Sequence, residues 1–193
     1  SLRLSGMAEH LPMRLQEAKA NEIDPLNFLK NLVNDELDKR KDNLLNRRLS
    51  IAKFPALKTL DDFDFSFNPA IQKKTIKELA SASFIHKSQN ILFIGPPGVG
   101  KSHLATAIGI CAIHSGYTVY YRSAFDLVED LAQSFRDDKR KKLIEQMTRH
   151  NLLIIDEFGM KKMPPNAADD LLEIIHRRYS NGSTIIATNR PID

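Results

Sequence analysis

The chain of 193 residues contains a single cysteine, Cys111, so neither an internal disulfide nor a cysteine-based zinc site can form. It also lacks an internal repeat, a low-complexity run and, over residues 1–20, the apolar core of a signal peptide. Hydrophobic residues make up 42% of the chain and charged residues 27%, values that exclude wholesale disorder and a collagen-like protein. These features predict a globular protein of a reducing, intracellular compartment.

One stretch, Ser102–Tyr121, contains no Asp, Glu, Lys or Arg and is long enough to cross a membrane. It includes several polar residues, however, and the residues His114, Ser115 and Gly116 are typical of a turn. We therefore predict a buried helix followed by a buried strand in this stretch, and no membrane span.

Residues 1–53 carry apolar side chains at helical spacing, which predicts a small all-helical N-terminal domain. Asp24 and Pro25 fit the N-cap and the first position of a helix. The next segment, 54–69, interleaves phenylalanines with acidic residues. This pattern indicates an extended aromatic linker whose rings pack against the domain that follows.

Residues 70–193 alternate short apolar runs with segments of helical character. This pattern is typical of a parallel sheet covered by helices on both faces. The fold class predicted for this region is therefore α/β, with a three-layer parallel sheet. The four apolar runs are 91–94, 119–121, 152–155 and 184–188.

A glycine-rich motif follows the first run, and its sequence GPPGVGKS matches the P-loop pattern G-x-x-x-x-G-K-[ST]. Its glycines let backbone N–H groups curl around a phosphate chain, and the helix that follows points its positive end at the anion. Lys101 would reach the β- and γ-phosphates of ATP, and the Ser102 hydroxyl would bind Mg²⁺. The predicted ATP-binding residues are Gly95, Pro96, Pro97, Gly98, Val99, Gly100, Lys101, Ser102 and His103.

The third run ends in two carboxylates, Asp156 and Glu157, where ligands bind in open α/β sheets. Asp156 would hold Mg²⁺ together with Ser102, and Glu157 would orient the water that attacks the γ-phosphate. Asn189 follows the fourth run and would contact the γ-phosphate or that water if the fourth strand lies between the first and the third. The predicted catalytic residues are Lys101, Asp156, Glu157 and Asn189.

Several more specific segments accompany these motifs. They are FPALKTLDDFDF at 54–65, NILFI at 90–94, SHLA at 102–105, LIIDEFG at 153–159, RY at 178–179 and IATNRP at 186–191. With them the chain resembles the IstB-like transposition helper ATPases of bacterial insertion sequences, which belong to the DnaC and DnaA clade of AAA+ ATPases. The aromatic linker and the DEFG stretch are the parts that a generic P-loop protein would not share.

The resemblance implies an AAA+ P-loop fold and an ATPase that needs oligomerisation and DNA. It also implies that the helical domain 1–53 serves partner binding or oligomerisation, the alternative being that its apolar stripes pack only within the chain. It implies a ring or helical homo-oligomer on double-stranded DNA, selection of a target site, and delivery of that DNA to a partner transposase in the bacterial cytoplasm, with stimulation of transposition. A replicative helicase loader of the DnaC type shares the motifs and is the alternative.

The family pattern continues after the fourth strand with a fifth strand, a region that supplies an arginine finger to the neighbouring subunit, and a small helical lid. We expect the lid to be absent from this chain, and the arginine finger stays unassigned. Arg177 and Arg178 precede the fourth strand, where they would contact a neighbouring subunit or DNA, or else form a solvated helix face.

The net charge of +4 permits nucleic-acid binding without establishing it. If the family resemblance holds, DNA contacts come from basic clusters that neutralise phosphates and give position rather than sequence preference. Acidic residues at 137 and 138 dilute one cluster, so solvated surfaces are the competing interpretation. The candidates are Arg122, Ser123, Arg136, Lys139, Arg140, Lys141, Lys142, Lys161 and Lys162.

Two further function classes are compatible with a P-loop. A small-molecule kinase would need an acceptor pocket and an arginine-rich lid, and Glu157 beside Asp156 favours water as the acceptor instead. A nucleotide-gated binding module with negligible turnover is the second, because hydrolysis in the family requires an arginine from the neighbouring subunit.

Overall fold

The computed structural model of the protein describes residues 3–136, 139–160 and 164–190, and the chain divides into two compact units, 1–47 and 48–193. The strands in these residues are β1 (Ile91–Ile94), β2 (Val119–Ser123), β3 (Leu152–Phe158) and β4 (Ser183–Thr188). The helices are α1 (Ser5–Ala20), α2 (Pro25–Ala52), α3 (Lys73–Ala80), α4 (Ser83–His86), α5 (Lys101–His114), α6 (Ala124–Arg136), α7 (Arg140–Thr148) and α8 (Pro165–Arg178).

In the first unit α1 packs closely on α2. A Cβ added to Gly6 would lie 2.7 Å from the carbonyl oxygen of Asp35, so a larger residue there would push the helices apart. The buried carboxylate of Glu36 accepts a hydrogen bond from the Gly6 amide at 2.7 Å, which satisfies a free N–H of the first turn of α1. Asp24 caps α2 by accepting from the amide of Leu26 at 3.0 Å, as predicted.

The second unit is built on a parallel sheet with strand order β1-β4-β3-β2 in the described residues. This confirms the predicted parallel sheet, and it puts the fourth strand between the first and the third. Helix α5 packs against β3 and β4, while α6, α7 and α8 pack around a core cluster that includes Leu127, Leu131 and Ile174. Since all strands are parallel, their carboxyl ends meet at one edge of the sheet.

The uncharged stretch Ser102–Tyr121 forms most of α5 and the first half of β2, as predicted. Ala105, Ala107 and Ile108 are fully buried on α5 because this helix has neighbours on nearly every side. Within the described residues, no helix combines the length and the hydropathy that crossing a bilayer requires.

The linker after α2 is held by aromatic contacts. The ring of Phe54 meets Tyr121 edge-on, with a centroid distance of 6.0 Å. Phe63 meets Phe65 at 4.9 Å in the same geometry. Phe67 does not follow the prediction that the linker rings are packed, because 73% of its surface is exposed.

Candidate nucleotide-binding site

The P-loop connects β1 to α5 and depends on two glycines with left-handed backbone. Gly98 has φ of +84° and Gly100 has φ of +93°, values that other residues adopt only with strain. The amide of Gly95 donates to the carbonyl of Thr188 at 3.3 Å, so the start of the loop is tied to the end of β4. These constraints hold a turn whose amides can surround a phosphate.

Lys101 is the first residue of α5 and its side chain folds over the loop. Its Nζ donates to the carbonyl oxygens of Gly95 and Pro96, both at 2.8 Å. Partial burial lowers the pKa of Lys101, while the nearby carboxylate of Asp156 acts in the opposite direction. The ammonium group therefore lies at the mouth of the loop, within the electrostatic influence of Asp156.

Asp156 lies inside β3 and is only 3% exposed. Its Oδ2 accepts a hydrogen bond of 2.6 Å from the hydroxyl of Tyr121, on the neighbouring strand β2. Its Oδ1 accepts from the backbone amide of Glu157 at 2.8 Å. Both oxygens are thus oriented by protein donors, and burial, followed by the hydrogen bond to Asp156, raises the pKa of Tyr121 so that the phenol keeps its proton.

Glu157 has an unusual backbone. Its φ of +57° is in the left-handed region, and the pairing of β3 with β4 shifts register between Ile155 and Phe158. Such conformations cost free energy in a non-glycine residue and concentrate at functional positions. Here the irregularity leaves the Glu157 side chain exposed next to the buried Asp156.

The carboxyl ends of the strands enclose a pocket of about 390 Å³. The pocket brings together most of the residues that the motifs predicted and, in addition, Lys58 from the linker. Its lining residues are Lys58, Pro97, Gly98, Gly100, Lys101, Ser102, His103, Asp156, Glu157, Met160, Ala187 and Asn189. Asn189 reaches this pocket because β4 lies beside both β1 and β3.

A second, more apolar pocket of about 590 Å³ adjoins the P-loop. It shares Lys101 with the first pocket and contains the remaining predicted residues Gly95, Pro96 and Val99. Its other walls come from residues of the linker end, the start of α3, β1 and α5. The sequence motifs did not predict these residues, because they lie outside the P-loop pattern. They are Asn68, Ala70, Ile71, Gln72, Thr75, Ile76, Phe93, Ile94 and Leu104.

The side chain of His103 is engaged with the linker. Its Nε2 donates to the carbonyl oxygen of Thr59 at 2.7 Å, and its ring packs edge-on against Phe63 at 5.1 Å. His103 therefore lines the pocket at the carboxyl ends of the strands, while its ring is held by contacts with the linker.

Two of the DNA-contact candidates are ion-paired within the chain, and a third caps a helix. Arg122 pairs with Asp130 and Arg140 pairs with Asp170, so part of each charge is already neutralised. The hydroxyl of Ser123 accepts from the backbone amide at position 126 at the start of α6.

Other candidates lie around a groove of about 380 Å³ beside β2, α6 and α7, which we call the basic groove. Its residues are Lys53, Tyr120, Arg122, Asp130, Gln133, Ser134, Lys139, Lys142, Leu143 and Gln146. Lys141 is exposed on α7 but is not part of this lining. Arg136 ends α6 and its side chain lies outside the described part of the chain, as do Lys161 and Lys162 entirely.

Arg178 contradicts both interpretations suggested for it from the sequence, since it is only 2% exposed. Its guanidinium donates to the carbonyl oxygens of Met147 at 3.0 Å, His150 at 2.8 Å and Ser183 at 2.5 Å. Burial lowers its pKa to about 10. Arg178 therefore holds together the ends of α7, β3 and β4 that lie away from the P-loop, and does not face a neighbouring subunit or DNA.

Comparison with known proteins identifies the family. Residues 1–193 match the family model described as IstB-like ATP binding protein. The chain belongs to this family. It is 37% identical over 189 residues to an ATP-binding protein of insertion sequence IS5376 from Geobacillus stearothermophilus, and this alignment covers 98% of the chain and 75% of the relative.

Solved structures similar to this IstB-like chain agree with the fold. The DnaC helicase loader is 28% identical with a TM-score of 0.60, over 70% of this chain and 78% of the loader. AMPPCP-bound DnaA from Aquifex aeolicus has a TM-score of 0.64 at 22% identity, over 72% of this chain and 43% of DnaA, so this chain spans less than half of DnaA. These likenesses confirm the predicted AAA+ type of P-loop fold.

Proposed function

We propose that the protein is an ATP-hydrolysing AAA+ ATPase that oligomerises on double-stranded DNA, selects a target and delivers it to a partner transposase, thereby stimulating transposition in the bacterial cytoplasm. The observation that carries this proposal is the pocket that joins Lys101, Asp156, Glu157 and Asn189 in a chain of the insertion-sequence family.

The nucleotide would occupy both pockets beside the P-loop. The apolar pocket suits a flat purine base, since such sites are mostly apolar with a few polar groups, and Asn68 and Gln72 provide amides there. The phosphates would extend past Lys101 into the second pocket, where the loop amides and the lysine balance their charge. The γ-phosphate end would then lie beside Glu157 and Asn189.

The residues present fit magnesium. The Ser102 hydroxyl and the Asp156 carboxylate are hard oxygen ligands, and Mg²⁺ commonly takes one or two carboxylates with substrate phosphates. In the described part of the chain, no cluster of three His, Cys, Asp or Glu side chains could hold a metal alone, so nucleotide phosphates would complete the site. The ion would neutralise charge on the phosphates.

Hydrolysis would rest on two side chains at the γ-phosphate. Glu157 is exposed beside the pocket and would accept a hydrogen bond from the attacking water and orient it. Asn189 would donate from its amide to the γ-phosphate or the water. Lys101 would stabilise the charge that develops on the transferred group.

The basic groove would contact DNA. Its described lining residues include four cationic side chains and one carboxylate, that of Asp130. Lys and Arg in such a groove neutralise phosphates without reading bases. Its aromatic residue, Tyr120, is 1% exposed and is therefore unable to stack on a base, which also favours contact with the sugar-phosphate backbone.

A DnaC-like helicase loader is the second candidate function, supported by the 28% identity to a solved helicase loader. The two candidates differ in the partner. A transposition helper associates with the transposase encoded beside it, whereas a loader associates with a replicative helicase.

Gel filtration with light scattering, with double-stranded DNA present, tests the proposal. Samples with ATP and Mg²⁺, with ADP, and without nucleotide are compared. We expect a large complex that requires both ATP and DNA, and the transposase is then added to this complex to test the partner. A monomer or dimer under every condition contradicts the proposal, and binding to a replicative helicase but not to the transposase favours the loader.

A further inference from the structure

The linker contacts the P-loop through a side chain that leaves no room between them. A Cβ added to Gly100 would lie 2.6 Å from Cε2 of Phe63. The same ring meets His103, in the first turn of α5, at a centroid distance of 5.1 Å. The Phe63 ring therefore packs closely against the start of α5, and a larger residue at position 100 would clash with it.

A small turn fixes the linker backbone just before Phe63. The carboxylate of Asp62 accepts from the amide of Thr59 at 3.0 Å and from its hydroxyl at 2.6 Å. The carbonyl oxygen of Thr59 in turn accepts from His103 at 2.7 Å. Since Thr59 is bound on both sides, the preceding residue, Lys58, has a defined backbone position beside the P-loop.

Lys58 lines the pocket at the carboxyl ends of the strands, together with Lys101, Asp156 and Glu157. Among the described residues that line this pocket, the other charged side chains are one lysine, Lys101, and two carboxylates, Asp156 and Glu157. A second lysine balances the two carboxylates, so that the incoming phosphates meet less repulsion. The side chain of Lys58 is exposed, and its flexible stem lets the ammonium reach a ligand.

We propose that Lys58 is a phosphate-binding residue that the linker supplies to the nucleotide site. Its Nζ donates to a phosphate oxygen of the bound nucleotide, next to the contact that Lys101 makes. This inference rests on the proposed ATP-binding function, and it gives the aromatic linker a role: Phe63 and the Thr59 turn hold Lys58 at the pocket.

Nucleotide affinity of the full chain tests this role. Lys58→Met removes the charge and keeps an unbranched apolar stem, and Lys87→Met removes the same charge from an exposed lysine just after α4, before β1. We expect Lys58→Met to weaken ATP binding about fivefold, as for a single solvated charge contact, and AMP binding less than about twofold. Calorimetry gives the ATP affinity, and displacement of a fluorescent nucleotide gives that of AMP, both with Mg²⁺. Lys58→Arg should restore ATP affinity to within about twofold, because the charge is kept.

Each outcome separates this role from the proposed function. If Lys58→Met binds ATP like the wild type and like Lys87→Met, Lys58 does not contact the phosphates. If it weakens ATP and AMP equally, the linker only supports the shape of the site, and the inference is again wrong. If the wild-type chain fails to bind ATP at all, the proposed nucleotide-binding function itself is wrong. The wild-type measurement therefore distinguishes failure of the proposed function from failure of the Lys58 inference.

Discussion

The hydroxyl of Tyr121 donates a hydrogen bond of 2.6 Å to Oδ2 of Asp156, and both residues are buried between neighbouring strands. Phe54 packs edge-on against the Tyr121 ring, so the start of the linker stabilises the residue that orients the carboxylate. If Asp156 holds Mg²⁺ as proposed, Tyr121 is a positioning residue that acts through Asp156. The same contact keeps a buried carboxylate hydrogen-bonded, which a charge in a core requires.

Tyr121→Phe should raise the Mg²⁺ concentration for half-maximal ATPase activity about fivefold, because Asp156 loses the donor that fixes its orientation. The maximal rate at saturating Mg²⁺ should change much less. Steady-state assays over a Mg²⁺ series measure both values. Tyr117→Phe, just before β2, is the matched control, and an equal effect of the two substitutions would contradict the positioning role.

Glu157→Gln should lower ATP turnover at least about 100-fold, because the amide cannot accept the proton of the attacking water. ATP affinity should stay within about threefold, because the phosphate contacts of the P-loop remain. Turnover is measured by phosphate release, and assembly by light scattering with ATP and DNA, where the variant should keep the large complex longer than the wild type. Negligible turnover in the wild type, with no change in the variant, would instead support a nucleotide-gated binding module.

Lys142→Glu should weaken binding to double-stranded DNA about tenfold and reduce the salt dependence of binding by about one phosphate contact, because Lys142 lines the basic groove. Lys141→Glu makes the same charge change on the adjacent exposed residue outside the groove lining, and it should cost less than about threefold. Fluorescence anisotropy at several salt concentrations, with two unrelated DNA sequences, gives both quantities. Equal losses in the two variants would indicate general attraction of DNA by net charge and would rule out the groove.

The fold could be predicted from local pattern because each strand contains a short apolar run. The predicted run 91–94 coincides with β1, and 184–188 lies within β4. The end of β3 could not be predicted in the same way. Asp156 and Glu157 were expected to follow the strand, but backbone pairing continues through the register shift to Phe158, which no local pattern of hydrophobicity encodes.

In the candidate site, too, residues of a local motif could be predicted, whereas residues contributed by distant segments could not. The P-loop residues are adjacent in the sequence, so the motif alone predicts a phosphate-binding site. Tyr121 and Lys58 were missed because they reach the site through pairing of distant segments, and Tyr121 lies 35 residues from Asp156. A tyrosine in a predicted buried strand was the available signal, since a buried phenol needs a partner. Arg178 was misinterpreted because its partners are backbone carbonyl oxygens, which every residue has and which therefore give no sequence signal.

Arg178→Met should lower the free energy of unfolding by about 3 kcal/mol, because several buried carbonyl oxygens lose their donor. Arg177→Met is the control. Arg177 is half-exposed and pairs with Glu173 at 2.7 Å, so its loss should cost less than about 1 kcal/mol. Urea unfolding measures both values. A cost for Arg178→Met no larger than for Arg177→Met would contradict the buried role, and so would an effect confined to DNA binding.

The last prediction concerns pH and follows from His150, which lies beside Arg178 and is 5% exposed. Burial foremost, then the charges of Arg149 and Arg178, lower the pKa of His150 from 6.5 to about 4. Between pH 6.5 and about pH 4, the unfolded chain therefore binds a proton at His150 that the folded chain does not bind. The free energy of unfolding falls as the pH drops through this range. His150→Phe keeps a ring to stack on Tyr120 at 5.3 Å but cannot be protonated.

Between about pH 7 and pH 4.5 the wild type should therefore lose about 2 kcal/mol more stability than His150→Phe. Urea unfolding of both proteins at matched pH values gives this difference, in which the contributions of the other titrating groups cancel. The sign is decisive, because a histidine stabilised in its charged form would make the wild type gain stability relative to the variant on acidification. Parallel curves for the two proteins would mean that His150 takes up its proton as readily in the folded chain as in the unfolded one.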